Sequence, residues 1–504
     1  MNNSFLNNLK SDIPASIVVF FVAIPLCLGI ALASGAPLFS GIIAGIIGGI
    51  VVGLLSGSQI GVSGPAAGLA AIVLTAISTL NGFENFLLAV VIGGVIQLTF
   101  GILKAGVIGQ YFPSSVIKGM LTGIGLIIFI KQIPYFFGNK NLELGSNMLS
   151  EISLGSTLVG IIGLFILILW ESVLSKKGKI FQLVQGPLVA VIVGIIYTVT
   201  MSGNEKWGIV KSNLVDVPVP SNSSELISKF FTLPNFSAIS NGDIWVVAFT
   251  IALVASLETL LCVEATDKLD PQKRVTPKNR ELIAQGVGNM LSGMIGGLPV
   301  TQVIVRSSAN LQSGGKTKSS AIIHGFLLLI SVLTIPALLN KIPLSVLASI
   351  LFLVGYKLAK PALFKSIYHL GWKQFVPFMI TIIGIIFTDL LMGISMGLVL
   401  AIVIILLESY KNSHSTELEE KTVNITLAEE VTFINKDSIF SELDKVKPES
   451  SVNINMKNNK YLDNDIIEIL NDFLETKSER KLKVTIQSDK GTFENPVNIN
   501  EINI

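Results

Sequence analysis

The sequence predicts an α-helical polytopic membrane protein with about 14 transmembrane spans, followed by a small α/β domain. Half of the residues are hydrophobic and 14% are charged, with a mean hydropathy of +0.69, whereas soluble proteins carry about 25% charged residues. Apolar stretches of about 20 residues, the length that crosses a bilayer, recur from residue 13 to residue 408. The remaining segment, 412–504, is polar.

The predicted spans follow one another closely along the chain. The segment 300–312 is too short to cross as a complete helix, and 62–80 follows the breaker-rich stretch SGSQIGVSGP. The predicted bounds are 13–35, 38–55, 62–80, 85–103, 114–137, 153–173, 183–201, 244–263, 281–296, 300–312, 320–339, 343–358, 376–391 and 393–409. We therefore expect residues 1–411 to form the membrane domain.

Basic residues in the connections predict the orientation of the spans. With Lys10 and the N-terminus inside, the inner connections hold Lys104, Lys118, Lys176, Lys177, Lys179, Lys268, Lys273, Arg274, Lys278, Arg280, Lys316, Lys318, Lys357, Lys360, Lys365 and Lys373. The outer connections hold Lys140, Lys206, Lys211, Lys229 and Lys341. This bias of roughly three to one predicts that both termini and the polar segment lie in the cytoplasm. Helical spans, which do not form outer-membrane barrels, predict an inner-membrane protein.

The third and tenth spans begin with similar stretches, GVSGPAAGL from Gly61 and GGLPVTQVI from Gly296. Because an odd number of spans separates the two copies, the second is inverted relative to the first. Interrupted spans in corresponding positions of inverted halves point to the binding site of a transporter. The alternative is that these glycines and prolines only permit close packing or kinks.

A broken helix exposes backbone N–H groups at its new N-terminus, where the helix dipole is positive. Two such ends that face each other near the membrane midplane form an anion site. Pro65 and Pro299 suit the starts of these helices, because the first turn needs no N–H from them. The residues predicted to contact the anion through their backbone are Ala66, Ala67 and Gly68 in one half and Thr301, Gln302 and Val303 in the other.

Two charged residues are predicted inside the spans. Arg306 lies about two turns into the tenth span and adds positive charge; the alternative is snorkelling to the cytoplasmic interface. Glu258 has apolar neighbours, where a carboxylate is costly unless it is paired, protonated or bound to a cation. It is therefore the predicted carrier of a coupling ion, Na⁺ or H⁺, and the alternative is a structural ion pair with a residue such as Arg306.

The other polar features of the sequence do not predict a catalytic or metal-binding function. Glu264, Asp267 and Asp270 are expected in a solvated cytoplasmic loop. The sequence contains no H-E-x-x-H, G-x-S-x-G or P-loop motif, and its two cysteines lack neighbouring metal ligands. We expect no enzymatic activity, no cofactor, no nucleic-acid partner, and no metal other than Na⁺ at Glu258 if Na⁺ is the coupling ion.

Six stretches resemble the sulfate permease (SulP) family of anion transporters, which has the prestin-type fold, and they cover essentially the whole membrane region in order. They are DIPASIVVFFVAIPLCLGIALASGAP (12–37), SGSQIGVSGPAAGL (56–69), SLETLL (256–261), NRELIAQGVGNMLSGMIGGLP (279–299), VRSSANLQSGGKTKSSAIIHGFLLL (305–329) and IPLSVLASILFLVGYKL (342–358). The resemblance implies a seven-plus-seven inverted repeat, about 12–201 and 243–409, with a core and a gate domain. It also implies a homodimer in the lipid bilayer and an elevator-like movement of the core.

The same resemblance implies which residues form the sites. Carried over by position, the anion site comprises Ala66 and the tenth-span residues Ile304, Val305 and Arg306, with Leu26, Cys27 and Ile30 from the first span. Glu258 matches an acidic position tied to cation coupling, and Cys262 matches a nearby cation-site position. Many members carry Gln or an aromatic residue where Leu26 and Ile30 stand, and Ser or Thr where Val305 stands. Backbone donors and Arg306 must therefore contribute more here.

The polar segment 412–504 resembles the family's STAS domain. TVNITL, SSVNINM and KLKVTIQ are predicted strands, and KDSIFSELDKV and DNDIIEILNDFLETK are predicted amphipathic helices. Asn464 follows Asp463 where the family usually has a phosphorylatable serine.

These observations favour a secondary active transporter of small inorganic anions, sulfate or bicarbonate, coupled to Na⁺ or H⁺. The alternative is an anion channel or an uncoupled exchanger for chloride or dicarboxylates. A membrane scaffold that acts through its tail is a third hypothesis, and it would tolerate Arg306→Ala.

Overall fold

The computed structural model describes residues 2–107, 112–139, 152–178, 181, 184–219, 230–419 and 421–499. The chain divides into two compact units, residues 1–397 and 398–504. This division falls inside the last long helix, whereas the sequence predicts a boundary after that helix, at 411/412. Three lysines used to predict the orientation, Lys140, Lys179 and Lys229, lie outside the described residues.

The first unit is built from helices, because a long apolar segment satisfies its own backbone groups only in a helix. The bounds are α1 (Asn2–Ala33), α2 (Leu38–Ile47), α3 (Gly53–Leu55), α4 (Ala70–Thr79), α5 (Phe83–Ile102), α6 (Ser114–Phe136), α7 (Leu154–Ser172), α8 (Gly186–Thr200), α9 (Gly242–Leu269), α10 (Lys278–Met294), α11 (Ile304–Gln312), α12 (Ser319–Thr334), α13 (Pro336–Leu339), α14 (Leu344–Leu358), α15 (Pro361–His369), α16 (Trp372–Phe387) and α17 (Leu390–Lys411). A π-helical turn, Gly48–Val52, joins α2 to α3.

A helix lies within each of the predicted spans. Among the described residues, eight helical segments are long and apolar enough to cross a membrane, beginning with Asn8–Ala33 and ending with Leu390–Tyr410. Four shorter apolar helices, including Gly186–Thr200, accompany them. The helical polytopic fold class is thus confirmed, while the count of about 14 crossings stays a prediction.

The third and tenth spans are not simple helices. Each begins with a short strand, β1 (Ser63–Pro65) and β2 (Val300–Gln302), and the two strands pair antiparallel with Gly64 opposite Thr301. Helical structure then starts at Ala67 and at Ile304. The prediction that Pro65 and Pro299 occupy first helical turns was wrong. Pro65 ends β1 and Pro299 directly precedes β2, because strand pairing takes up the residues before each helix.

The helices pack in two groups. One group contains α1, α2, α11 and α12, together with α5 packed on α9 and α10; in the other, α6 packs on α14 and α16, and α7 on α8 and α14. Glycines allow several of these contacts: a Cβ at Gly94 of α5 would lie 2.6 Å from the Met290 nitrogen of α10. Small residues are the usual means of close helix packing in membranes. The grouping agrees with the core and gate domains that the family resemblance implies.

The segment after Glu258 differs from expectation. The loop predicted around Asp267 and Asp270 is partly helical, because α9 continues to Leu269. Asp270 is buried and paired with Arg274 at 2.6 Å, and Asp267 accepts hydrogen bonds from Thr276. The prediction of a solvated loop was wrong for Asp270, which is buried. Asp267 is half-buried, and both carboxylates accept hydrogen bonds that hold the turn after α9.

The second unit is a small α/β structure. Its elements after the end of α17 are β3 (His414–Glu419), β4 (Thr422–Leu427), β5 (Glu430–Val431), α18 (Lys436–Asp444), β6 (Ser451–Asn455), β7 (Tyr461–Leu462), α19 (Asn464–Thr476), β8 (Lys483–Ser488) and β9 (Gly491–Glu494). The main sheet has the order β3-β4-β6-β8-β9, with a parallel centre and antiparallel edges. The three predicted strands and two predicted helices are confirmed as β4, β6, β8, α18 and α19.

The last turns of α17 belong to this second unit. The Asn435 amide donates to the Ser409 carbonyl at 3.0 Å, and the Tyr410 hydroxyl donates to Asp437 at 2.8 Å. These bonds explain why the division between the units precedes the end of the helix.

Candidate functional site

Two helix N-termini form the centre of the first unit. Ala66 and Val303 are extended, and helical structure begins directly after each of them. The first N–H groups of a helix have no partner within the helix, so both ends carry free donors and positive dipole charge. The backbone N–H of Gly68 faces the Glu258 carboxylate, and that of Ile304 faces the Cys262 thiol.

A cavity of about 100 Å³ lies against these helix ends. Ten residues predicted from the sequence line it, namely Leu26, Ile30, Ala67, Gly68, Glu258, Cys262, Val303, Ile304, Val305 and Arg306. Pro65 also lines it. The structure therefore brings together both helix ends, the first span and the two α9 residues predicted to hold a coupling ion.

Four predicted anion-site residues lie outside the cavity lining: Cys27, Ala66, Thr301 and Gln302. Thr301 and Gln302 are fully buried in β2, where strand pairing directs their backbone toward β1. The Val303 N–H is also engaged, because it donates to the Val62 carbonyl at 3.0 Å. Free donors on this side therefore begin at Ile304, later than the sequence predicts.

Arg306 is fully buried, with 0% of its surface exposed. Its Nη2 lies 3.3 Å from the Cys27 sulfur, and its Nε and Nη1 have no hydrogen-bond partner within the described part of the chain. A Cβ at Gly64 would collide with the guanidinium, so any larger residue there would displace the end of the Arg306 side chain. Burial excludes the snorkelling alternative. A buried guanidinium without a carboxylate partner leaves uncompensated positive charge beside the helix ends.

Glu258 is 9% exposed and packs against Gly68, where a Cβ would lie 2.6 Å from its Oε2. Its Oε2 has no hydrogen-bond partner, and no ion pair involves Glu258 among the described residues. The alternative of a structural ion pair with Arg306 is therefore not what the structure shows. Cys262 lies one helical turn further along α9 on the same cavity.

The opposite wall of the cavity was not predicted. It consists of the aliphatic side chains of Leu121 on α6 and of Leu351, Val354 and Leu358 on α14. Nothing distinguishes these leucines and valines in the sequence from the rest of the apolar spans, because only tertiary packing places them at the site. Their contribution is an apolar surface that keeps water from the helix ends.

The fold and the site define a class of protein: a helical membrane transport protein with two broken helices that meet at one cavity. The chain belongs to the sulfate permease family, whose model matches residues 9–383. The resemblance carried by the six stretches of the membrane region is thus confirmed.

Curated relatives cover most of the chain. YvdB of Bacillus subtilis, a candidate sulfate transporter by its name, is 27% identical over 435 residues, which cover 84% of this chain and 78% of that protein. The bicarbonate transporter BicA of Synechocystis is 27% identical over 414 residues, covering 79% of this chain and 70% of that protein. The family and these relatives are transporters and not enzymes, as predicted.

Solved structures share the fold. The transmembrane domain of a cyanobacterial bicarbonate transporter BicA aligns with a TM-score of 0.64 at 24% identity, covering 78% of this chain and 97% of that one. The murine Solute Carrier 26 family member A9 anion transporter aligns with a TM-score of 0.78 at 15% identity, covering 95% of this chain and 85% of that one. The chain is accordingly a multi-pass integral membrane protein of this fold.

Proposed function

We propose that this chain is a secondary active transporter of a small inorganic anion, sulfate or bicarbonate, coupled to Na⁺ or H⁺. The observation that carries the proposal is the single cavity on which two helix N-termini and an unpaired buried carboxylate meet. Sulfate and bicarbonate are the substrates named for the relatives YvdB and BicA. Transport of a small anion best accounts for a cavity that offers backbone N–H donors and, among the described residues, no set of catalytic side chains.

The anion would bind to backbone donors. The N–H groups of Ala67 and Val305, together with those of Gly68 and Ile304 that face Glu258 and Cys262, would supply hydrogen bonds and dipole charge. The guanidinium of Arg306 adds the field of a full charge inside a medium that screens poorly. No hydroxyl side chain lines the cavity among the residues that the structure describes, so backbone geometry and this charge would set the affinity.

The coupling ion would bind at Glu258. A buried carboxylate without a cationic partner is destabilised when ionised, and either a proton or Na⁺ removes that cost. The same cation also reduces repulsion between the carboxylate and an anion in the cavity. Cys262 adds a sulfur, which is a poor Na⁺ ligand, so backbone oxygens would have to complete a Na⁺ site.

Several features of the proposed function rest on the family. The helix group containing α1, α4 and α9–α12 would move as the core against the group containing α6 and α14, in an elevator-type alternating access. We also propose a homodimer in the inner membrane with both termini cytoplasmic. Residues 412–504 would form a cytoplasmic STAS-like domain; Asp463 caps its helix α19 through the Asp465 N–H, and no serine stands at position 464.

Uptake into proteoliposomes tests the proposal. Labelled sulfate and labelled bicarbonate are each offered with and without an inward Na⁺ or H⁺ gradient. We expect one anion to accumulate with one gradient, and Glu258→Gln to lose that accumulation. Glu264→Gln is the matched control, because Glu264 lies on the same helix but is exposed and paired with Lys268 at 2.7 Å.

Two outcomes would count against the proposal. Uptake that is independent of both gradients and survives in Glu258→Gln would favour a channel or an uncoupled exchanger of chloride or dicarboxylates. No uptake of either anion would contradict the proposed substrates.

A further inference from the structure

Helix α10 carries a polar stripe that is hidden inside the protein. Glu281, Gln285, Asn289 and Ser292 follow one another at intervals of one helical turn and therefore share one face. All four are at most 1% exposed, and none lines the cavity. Burying four polar side chains in a membrane protein is costly unless their hydrogen bonds are made, so their partners indicate their role.

The first part of the stripe holds the entrance to β1. The Gln285 Nε2 donates to the Ser63 hydroxyl at 2.7 Å and to Glu281 at 3.0 Å. Glu281 also accepts from the Ser56 hydroxyl at 2.5 Å, and Ser56 in turn accepts from the Ser58 N–H. Side chains of α10 therefore fix both ends of the segment 56–63, which leads into the first helix end.

The second part of the stripe holds β2. Asn289 accepts from the Val300 N–H at 2.5 Å and donates to the Val300 carbonyl at 3.1 Å, so it mimics a strand partner. The Asn289 amide also donates to Gln97 on α5 at 2.7 Å. Ser292 donates to the Leu298 carbonyl at 2.6 Å. One helix face is thus bonded to the strands that precede both half-helices.

We infer that Gln285 and Asn289 are positioning residues that set the affinity for the transported anion without touching it. The strands β1 and β2 end three residues before Gly68 and two residues before Ile304, so a shift of either strand moves the N–H donors of these helix ends. Hydrogen bonds weaken steeply as distance and angle change, and displacements of about 1 Å can cost large factors in binding or rate. This inference rests on the proposed function.

A double-mutant cycle in full-length protein tests it. Ser63→Ala, Gln285→Leu and the double variant are reconstituted in proteoliposomes, with the anion that the wild type accumulates as probe. We expect each single variant to raise the half-saturating anion concentration about three- to tenfold, the value of one hydrogen bond, with the maximal rate per folded protein unchanged. The double variant should be no worse than Gln285→Leu alone, because both changes remove the same contact.

Asn289→Leu provides an independent second test on the other strand, with the same expected shift. Two matched controls remove buried polar groups that do not contact the strands. Ser256→Ala removes a hydroxyl bonded to its own helix at Ala252, and Gln132→Leu removes an amide with no partner in the described part of α6. Both controls should leave the half-saturating concentration unchanged.

The outcomes distinguish the positioning role of Gln285 and Asn289 from the proposed transport function. Effects of Ser63→Ala and Gln285→Leu that multiply in the double variant, or variants that change only the amount of folded protein, would overturn the positioning role. Normal wild-type uptake with an unchanged half-saturating concentration in all three variants would also overturn it, and would leave the proposed function intact. Absence of saturable wild-type uptake would overturn the proposed function and this inference with it.

Discussion

At the site, the identity of a single residue can determine the position of a charged group. Gly68 is the clearest case, because a Cβ there would lie within 2.7 Å of all three carboxylate atoms of Glu258. The colliding group is the end of a flexible side chain, so the protein can fold, but the carboxylate must leave its position. Glycine at 68 therefore determines where the Glu258 carboxylate, the proposed site of the coupling ion, lies.

We predict that Gly68→Ala weakens the dependence of anion uptake on the driving cation while leaving expression and stability near wild type. The cation concentration for half-maximal stimulation should rise about tenfold, comparable with the loss of a supporting contact at an ion site. Gly163→Ala on α7 is the control, because the nearest atom to its added Cβ is 3.6 Å away. Unaltered cation dependence in Gly68→Ala would contradict the position assigned to Glu258.

Arg306 supplies the second prediction at this scale. Arg306→Gln keeps a long polar side chain but removes the buried charge, so anion uptake at low concentration should fall by at least about tenfold. Arg274→Gln, which changes the half-buried partner of Asp270 outside the cavity lining, should leave uptake unchanged. Equal uptake by Arg306→Gln and wild type would favour the scaffold hypothesis over anion transport.

At the level of elements, the packing of α5 on α10 connects stability to the site. Gly94 lies so close to α10 that an added Cβ would meet the Met290 nitrogen at 2.6 Å and the Gly286 oxygen at 2.8 Å. Backbone atoms cannot move aside as a side chain does. Gly94→Ala should therefore destabilise the first unit by about 1–3 kcal/mol, the usual cost of overpacking.

Thermal unfolding in detergent measures this effect, with the protein detected by its own tryptophans. The melting temperature of Gly94→Ala should fall below that of the wild type, whereas Gly163→Ala, which has room for a methyl group, should match or exceed it. A melting temperature of Gly94→Ala equal to the wild-type value would show that α5 and α10 do not pack as closely as described.

The helices and strands also show which features of the fold can be predicted from the sequence. Hydropathy located a helix in each predicted span but missed the short α15, and glycines and prolines located the two interruptions, because these signals are local. The pairing of Gly64 with Thr301, and the shift of free donors from Thr301 to Ile304, depend on contacts between distant segments. Strand β3 was also missed, since His414–Glu419 is mostly exposed and has no apolar face to form a pattern.

At the scale of the whole molecule, the second unit has a hydrophobic core of its own. Apolar residues of its central strands, such as Ile425, Ile454 and Ile486, pack with Ile466 and Leu470 of α19. A unit with its own core should fold when it is separated from the membrane part.

We predict that a fragment of residues 412–504 unfolds cooperatively in urea, with a free energy of unfolding of about 5–15 kcal/mol, as is typical of small domains. Circular dichroism at 222 nm would follow the transition. Leu470→Asp, which buries a charge in this core, should abolish it. A fragment that shows no cooperative transition would mean that the core needs the rest of the chain.

The central claim is that the transported anion binds in the cavity between the two half-helices, and the native cysteines allow a direct measurement. The chain has two cysteines: Cys27 is fully buried, whereas Cys262 is partly exposed on the cavity. The rate at which a small neutral methanethiosulfonate reagent modifies Cys262 should fall in the presence of saturating sulfate or bicarbonate, whichever is transported, and should not fall with an anion that is not transported. A rate of modification that is the same with and without the transported anion would contradict the site.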